Sequence, residues 1–311
     1  MPFYVRKSFW TITTLALLAI LPLTGSRYSI DLTTQILIYA LFALSLNILV
    51  GYLGNLSFGH AAFFSIGGYA CAILLTTYNF PFLISFLTAL AFSAIAALLI
   101  GLVCVRRNQM YFAMLTLAFG MLVWAIALKW RPVTGGDDGF VGINIPAILS
   151  NPTNFYYFTL LTSTIATYAL WTICNSTFGQ TMIAIRENQN RALFLGIDTQ
   201  LIRLKAFVIS GIFAGLSGIL FALYNRGMYP ESAFWTESGQ VLIMVLLGGM
   251  HSFIGPILGA ISLYSLEIFI NQFTEYWQIV LGGILLVVVL IAPEGLAGGV
   301  IWLEKKFLKK S

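Results

Sequence analysis

Long apolar stretches separated by short polar ones dominate the pattern along this chain. Runs of about 17 residues or more recur, each long enough to cross a hydrocarbon layer as a helix. With two shorter stretches, 9–23 and 239–250, the predicted spans fall at roughly 9–23, 31–50, 57–78, 82–104, 110–128, 155–175, 205–224, 239–250, 255–271 and 277–296, ten in all. The first reads either as a cleaved signal, with Arg6 and Lys7 before an apolar core and Thr24-Gly25-Ser26 after it, or as a retained helix. Retention is favoured, because multi-span proteins seldom need a separate cleaved signal. The pair 239–250 and 255–271 is short and joined by GGMHSFIGP. It reads either as two spans or as half-helices dipping in and out, an interruption that lines a cavity rather than facing lipid.

The longest polar interruption is STFGQTMIAIRENQNRALFLGIDTQLIRLK, residues 176–205. It holds Arg186, Arg191, Arg203 and Lys205 beside only Glu187 and Asp198. Met182, Ile183, Ile185, Ala192, Leu193 and Phe194 leave an apolar surface next to a polar one, which predicts one or two short amphipathic helices. Gly196 is placed to end such a helix in a left-handed conformation, and Asp198 to cap the next one. Most basic loops are merely solvated. A half-apolar face on this one points instead to docking of a separate soluble subunit.

Composition removes the soluble classes. A 311-residue chain that is 59% hydrophobic and 9% charged cannot cover a globule with polar surface. The net charge of +5 comes from short loops rather than one patch, so nucleic acid is not the expected partner; the lipid bilayer is. With the N-terminus inside, the inner loops hold Arg6, Lys7, Arg106, Arg107, Arg186, Arg191, Arg203, Lys205, Lys305, Lys306, Lys309 and Lys310. The outer loops hold Arg27, Lys129, Arg131 and Arg226, so basic residues favour this orientation twelve to four, with both termini cytosolic. Cys71, Cys104 and Cys174 lie singly in predicted spans, with neither disulfide nor metal spacing. The expectation is one transmembrane domain, 1–311, with a cytosolic loop at about 176–205 and a basic cytosolic tail at 297–311.

Two glycine-rich stretches stand out. GYLGNLSFGHAAFFSIGGY, residues 51–69, sets Asn55, Ser57 and His60 among Gly51, Gly54 and Gly59. LLGGMHSFIGPILGA sets His251 and Ser252 among Gly248, Gly249 and Gly255. Glycine-broken helices in both halves are what an internally repeated transporter would show, although glycine packing is common in any membrane bundle. Asn55, Ser57, His60 and Ser252 are candidates for polar points on a translocation path, and equally for groups that only satisfy broken-helix backbone. Glu267 is the only carboxylate in the interior of a predicted span, Asp31 and Glu294 standing at or near the ends of theirs, and an interfacial or structural role is favoured for it. No carboxylate–histidine relay, phosphate loop or nucleophile constellation is present in the sequence, so an enzyme is not expected and energy must come from a partner. A stand-alone secondary transporter or channel would need ion-coupling groups in its spans; a purely structural subunit would not need the glycine breaks.

GYLGNLSFGHAAFFSIGGYACAIL, RRNQMYFAMLTLAFG, TGGDDGF, MIAIRENQNRALFLGID, LLGGMHSFIGPILGA and APEGL, in that order, resemble the permease subunits of bacterial branched-chain amino acid ABC importers, most closely the M-type subunit of the Liv systems. The resemblance covers most of the chain from Asp31 to Leu296. It implies an all-α inner-membrane protein of about ten transmembrane or re-entrant helices with a cytosolic coupling helix. It also implies a sister permease, two cytosolic ATPase subunits that carry ATP and magnesium, and an extracytoplasmic binding protein; no cofactor is implied for this chain. The coupling loop then comprises Ala184, Arg186, Glu187, Arg191, Ala192, Gly196 and Asp198. Two departures are visible. Of the EAA-then-Gly loop motif of ABC importers only Ala192 and Gly196 remain, with Asn190 and Arg191 in the first two places, and the family's GGMGS is GGMHS here. Some related systems carry urea or short amides, but the TGGDDG stretch resembles the amino-acid branch.

Overall fold

Residues 18–22, 26–106 and 109–273, with short pieces at 279–280, 282–283, 286 and 295–298, are described by a computed structural model. Ser26 caps the first long helix, α1 (Arg27–Asn47), its hydroxyl accepting from Ser29 N. That helix loosens into a π turn (Ile48–Tyr52), and the chain stays non-helical until α2 (His60–Thr76). Then follow α3 (Phe82–Cys104), α4 (Gln109–Lys129) and α5 (Pro152–Asn175). Two short helices, α6 (Thr177–Glu187) and α7 (Gln189–Phe194), lead into α8 (Thr199–Asn225), and α9 (Trp235–Gly248) and α10 (Gly255–Asn271) complete the described bundle. Among the described residues, four helices are long and apolar enough to cross a membrane: α1 with its π turn, α3, α4 and α8. The chain is an all-α membrane protein.

Burial sorts these helices. Every residue of α1 from Ile38 onward is buried, so α1 is the central strut. On α3, by contrast, only Ser85, Ala89, Ser93, Ala97, Gly101 and Cys104 are buried, one stripe repeating every third or fourth residue. Leu83, Leu87, Leu98 and Leu99 on its other faces are exposed, as lipid-facing side chains must be. Small residues on that stripe admit α8, whose Gly211 and Gly215 back onto Ala97 and Ser93. The α8 helix packs most extensively on α2, then on α3 and α1. Aromatic rings fill the space between: Phe42 stacks on Phe64 at 4.5 Å, and Phe63 meets Phe207 edge-to-face at 5.3 Å.

At one end of the bundle a two-residue antiparallel ladder, β1 (Phe140–Val141) with β2 (Gly227–Met228), ties the α4–α5 loop to the end of α8. The loop is held further by Arg226, whose carbonyl accepts from Gly142 N (3.0 Å) and Ile143 N (3.2 Å). The opposite end carries α6 and α7, since α5, 24 residues and about 36 Å long, runs from the first end to the second.

Some helix starts shift by several residues from the hydropathy reading, and such shifts move charged side chains onto helices. Helix α8 begins at Thr199, so Arg203 and Lys205 lie on its first turns rather than in the loop. The apolar window could not see these turns because Thr199, Gln200, Arg203 and Lys205 make them polar on more than one face. Similarly, α9 begins at Trp235, so Glu237 lies on a helix of the bundle as Glu267 does. Both glutamates have an Oε2 shielded from solvent that accepts no hydrogen bond from the described residues. The first apolar run is described only at 18–22, where it is helical and Tyr156 donates to the Leu18 carbonyl at 2.7 Å. The span at 277–296, apart from its short pieces, and the tail from 299 onward lie outside the described residues.

Candidate functional site at a helix break

The break after α1 has a local cause. Leu53 N turns back to the Ile48 carbonyl (3.1 Å) and Asn55 N to that of Leu49 (2.8 Å), wider closures than an α-helix makes. Gly54 then takes a φ of +77°, which glycine adopts without the clash a side chain would meet. At the far side of the break Gly59 precedes α2 and lies against α4 so closely that a Cβ would overlap the carbonyl oxygen of Thr116. The polar residues of this segment are turned inward. Asn55 is 2% exposed, and with its amide oxygen facing Arg203 it accepts from Nε at 3.2 Å and Nη2 at 3.1 Å. His60 is buried, stacks on Phe42 at 5.4 Å and pairs its Nε2 with Ser45 Oγ at 2.8 Å. Ser57 is buried, and its hydroxyl has no partner among the described residues.

The second glycine-rich stretch meets the first. Gly248 and Gly259 bring α9 and α10 into backbone contact, and Gly249 and Gly255 frame the turn that joins them. That turn reaches the α1 break. A Cβ on Gly51 would overlap the Met250 carbonyl, and Asn47 Nδ2 donates to the Ser252 carbonyl at 3.4 Å. Ser252 itself is half-buried and His251 exposed.

The polar loop arrives at the same place. As expected from its pattern, it forms two short helices. Asn188 caps α7 by accepting from Arg191 N (2.9 Å), and Asp198 caps α8 by accepting from Leu201 N (3.0 Å). Between them Gly196 has φ +80°, and Gly196 N and Ile197 N return to the carbonyls of Leu193 (2.9 Å) and Ala192 (3.1 Å), the paired closure of a Schellman turn. Part of the apolar face is used within the chain: Met182, Ile185 and Ala192 are buried. What remains outside is Leu193, Phe194 and Leu195, with Phe194 92% exposed. Ala184, Glu187, Arg191 and Asp198 are also on the surface, whereas Arg186 is turned in and donates from Nη1 to the Gly51 carbonyl.

Three stretches far apart in sequence, at 47–55, 186–203 and 250–252, therefore converge on one end of the bundle. Arg203 is the member that the sequence reading left out. Its signal was available: an arginine five residues after a capping Asp198 sits on the first turns of the next helix, within reach of whatever that helix packs against.

Comparison with known proteins agrees with this architecture. The family described as the branched-chain amino acid transport system permease component matches residues 28–289. The chain is 30% identical over 319 residues to the high-affinity branched-chain amino acid transport system permease protein LivM of Escherichia coli (strain K12), covering 94% of this chain and 75% of that protein. LivM of Salmonella typhimurium gives the same figures. The autoinducer 2 import system permease protein LsrC of Salmonella typhimurium is 28% identical over 178 residues, 55% of this chain and 49% of that protein. No solved structure matches the chain. The long apolar helices and a family match spanning most of the sequence make this chain a member of the permease-component family of branched-chain amino acid transport systems, the membrane part of an ABC importer.

Proposed function

We propose that this chain, paired with a sister permease, forms half of a translocation path for branched-chain or other hydrophobic, neutral amino acids, and that ATP hydrolysis on separate cytosolic subunits drives it through the α6–α7 loop. The observation that carries this reading is the apolar tip of that loop. Leu193, Phe194 and Leu195 project from the bundle while Met182, Ile185 and Ala192 of the loop's apolar face are buried. A phenylalanine 92% exposed beside exposed Arg191 and Glu187 has the make-up of an anchor residue with a charged rim, the form that a groove on a soluble partner would receive. The amino-acid class is supported by likeness to LivM along nearly the whole chain, against about half the chain for LsrC. A zwitterion is costly to bring into hydrocarbon, so polar or hydrated points are needed along the path. Among the candidates, half-buried Ser252 is better placed to meet a second chain than Asn55 or His60, which are buried inside this one beside Arg203 and Ser45.

Co-purification tests the reading. Co-expressed with its partners, the tagged wild-type chain is expected to bring down ATPase subunits. Phe194→Asp should reduce their recovery at least tenfold, since burying a phenylalanine contributes roughly 1.5–3 kcal/mol and each 1.4 kcal/mol is about tenfold in affinity. ATPases that remain bound at wild-type levels to the Asp variant would remove the tip from the docking site.

Orientation is tested separately. Asp138 and Gln189 are both exposed, at opposite ends of α5. A cysteine at Asp138 is expected to react with an impermeant maleimide from the extracytoplasmic side, and one at Gln189 only from the cytosol. Labelling of both from one side would contradict the assignment.

A further inference from the structure

We propose that Arg186 is a positioning residue that links the α6–α7 loop to the break in α1, and through it to the α9–α10 turn. The inference rests on the importer reading above and adds the route by which loop movement reaches the helices. Gly51 lies at the carbonyl end of α1, where helical carbonyls run out of backbone donors and the helix dipole presents its negative end. A guanidinium donating to that carbonyl makes a charge-assisted bond, the strong kind. The aliphatic part of Arg186 lies across Gly54, where a Cβ would stand 2.6 Å from Arg186 Cγ. Two glycines thus form the seat of one arginine: Gly51 supplies the acceptor and Gly54 the room.

On its other side Gly51 has no slack. A Cβ there would overlap the Met250 carbonyl and Asn47 Oδ1, and Asn47 in turn donates to the Ser252 carbonyl. Arg186, the α1 break and the α9–α10 turn are therefore stacked in direct contact. A displacement of α6 either carries Gly51 with it or breaks the bond to its carbonyl. Arg203 holds the next part of the break from α8 through Asn55, so the segment is gripped from both ends of the loop. Arg186 acts here through Gly51 and is not assigned contact with substrate or ATPase.

The test uses the complete transporter, with both permeases, both ATPases and the binding protein, reconstituted in proteoliposomes. Wild type, Arg186→Gln, Arg186→Lys, Gly54→Ala and the Gly54→Ala/Arg186→Gln double variant are compared by recovery of assembled complex and by amino acid taken up per ATP hydrolysed. Arg186→Gln is expected to assemble but to lose at least tenfold in uptake per ATP. Arg186→Lys, which keeps a charged donor, should recover to within about threefold of wild type. Gly54→Ala both displaces the arginine and strains the left-handed turn, so it should lose at least as much as Arg186→Gln, while the double variant should lose less than the two single losses combined, because they share one contact. Wild-type uptake per ATP in Arg186→Gln overturns the link. So does fully additive loss in the double variant, or failure of both the Gln and Lys variants to assemble, which would make the role purely structural. A wild-type complex without ATP-driven uptake overturns the importer reading, and this inference with it, before any variant is made.

Discussion

Replacing Gly218 with valine is expected to prevent stable folding of the bundle. Gly218 sits in α8 where that helix crosses α2, and a Cβ there would overlap the carbonyl oxygen of Phe64. The obstacle is backbone, which cannot change rotamer to make room. The crossing is tight along its length, since a Cβ on Gly67 would also overlap the carbonyl oxygen of Gly215. Valine must therefore push two central helices apart and separate the ring cluster of Phe42, Phe64 and Phe221 beside them. Overpacking of this kind costs about 3 kcal/mol or more, the upper end for cores, because neither wall can yield. Yield of monodisperse detergent-solubilised protein should fall to a few per cent of wild type. Gly239→Val is the matched control: a Cβ at Gly239 meets nothing within 4 Å, so that variant should purify normally. Normal recovery of Gly218→Val would mean that the α2–α8 contact is looser than its geometry shows.

Such contacts explain which parts of the molecule were legible in sequence. Apolar run length is a local property, so the spans at 82–104, 110–128 and 255–271 agree with α3, α4 and α10 to within a residue. The turn chemistry was legible for the same reason. Gly196 and Asp198 act within five residues of themselves, on Ala192 and Leu201. What run length hides is which apolar face is crowded. Gly211, Gly215 and Gly218 lie in a span that reads as uniformly hydrophobic, yet they are where α8 backs closely onto α3 and α2. Their small-residue spacing carried the signal, while the reading dwelt on the glycines of the two broken stretches. Nor can hydropathy show that those two stretches and the basic loop share one end of the bundle. Arg186 reaching Gly51, and Arg203 reaching Asn55, are tertiary events between positions about 135 to 150 apart. Hydropathy also hid the helical placement of Glu237, which polarises the start of α9 enough to shorten the apolar window, although the backbone is helical from Trp235.

Gly196→Val should leave the bundle folded and inserted yet uncouple ATP hydrolysis from uptake. Nothing lies within 4 Å of a Cβ at this position, so the substitution meets no neighbour and its effect is conformational. The φ of +80° is the point at issue. A left-handed residue with a side chain is disfavoured by roughly 1–2 kcal/mol, and β-branching makes valine a poor occupant. Relief requires opening the turn, which releases the Gly196 N and Ile197 N bonds to Leu193 and Ala192. Those bonds fix the end of α7, and with it the direction of Leu193, Phe194 and Leu195 relative to the Asp198-capped start of α8. Because 1.4 kcal/mol is a factor of about ten, the docking geometry should fall from the dominant conformer to a minor one. Amino acid taken up per ATP hydrolysed should then drop by roughly tenfold, with assembled permease recovered in normal amount. Asparagine tolerates the left-handed region best among residues with a side chain, so Gly196→Asn should remain close to wild type, with Gly196→Ala between it and valine. An order of Gly, Asn, Ala, Val is the signature of backbone strain. A defect that grew with side-chain size alone would point instead to a partner surface pressed against Gly196, and full coupling in the valine variant would show that the turn does not set the docking geometry.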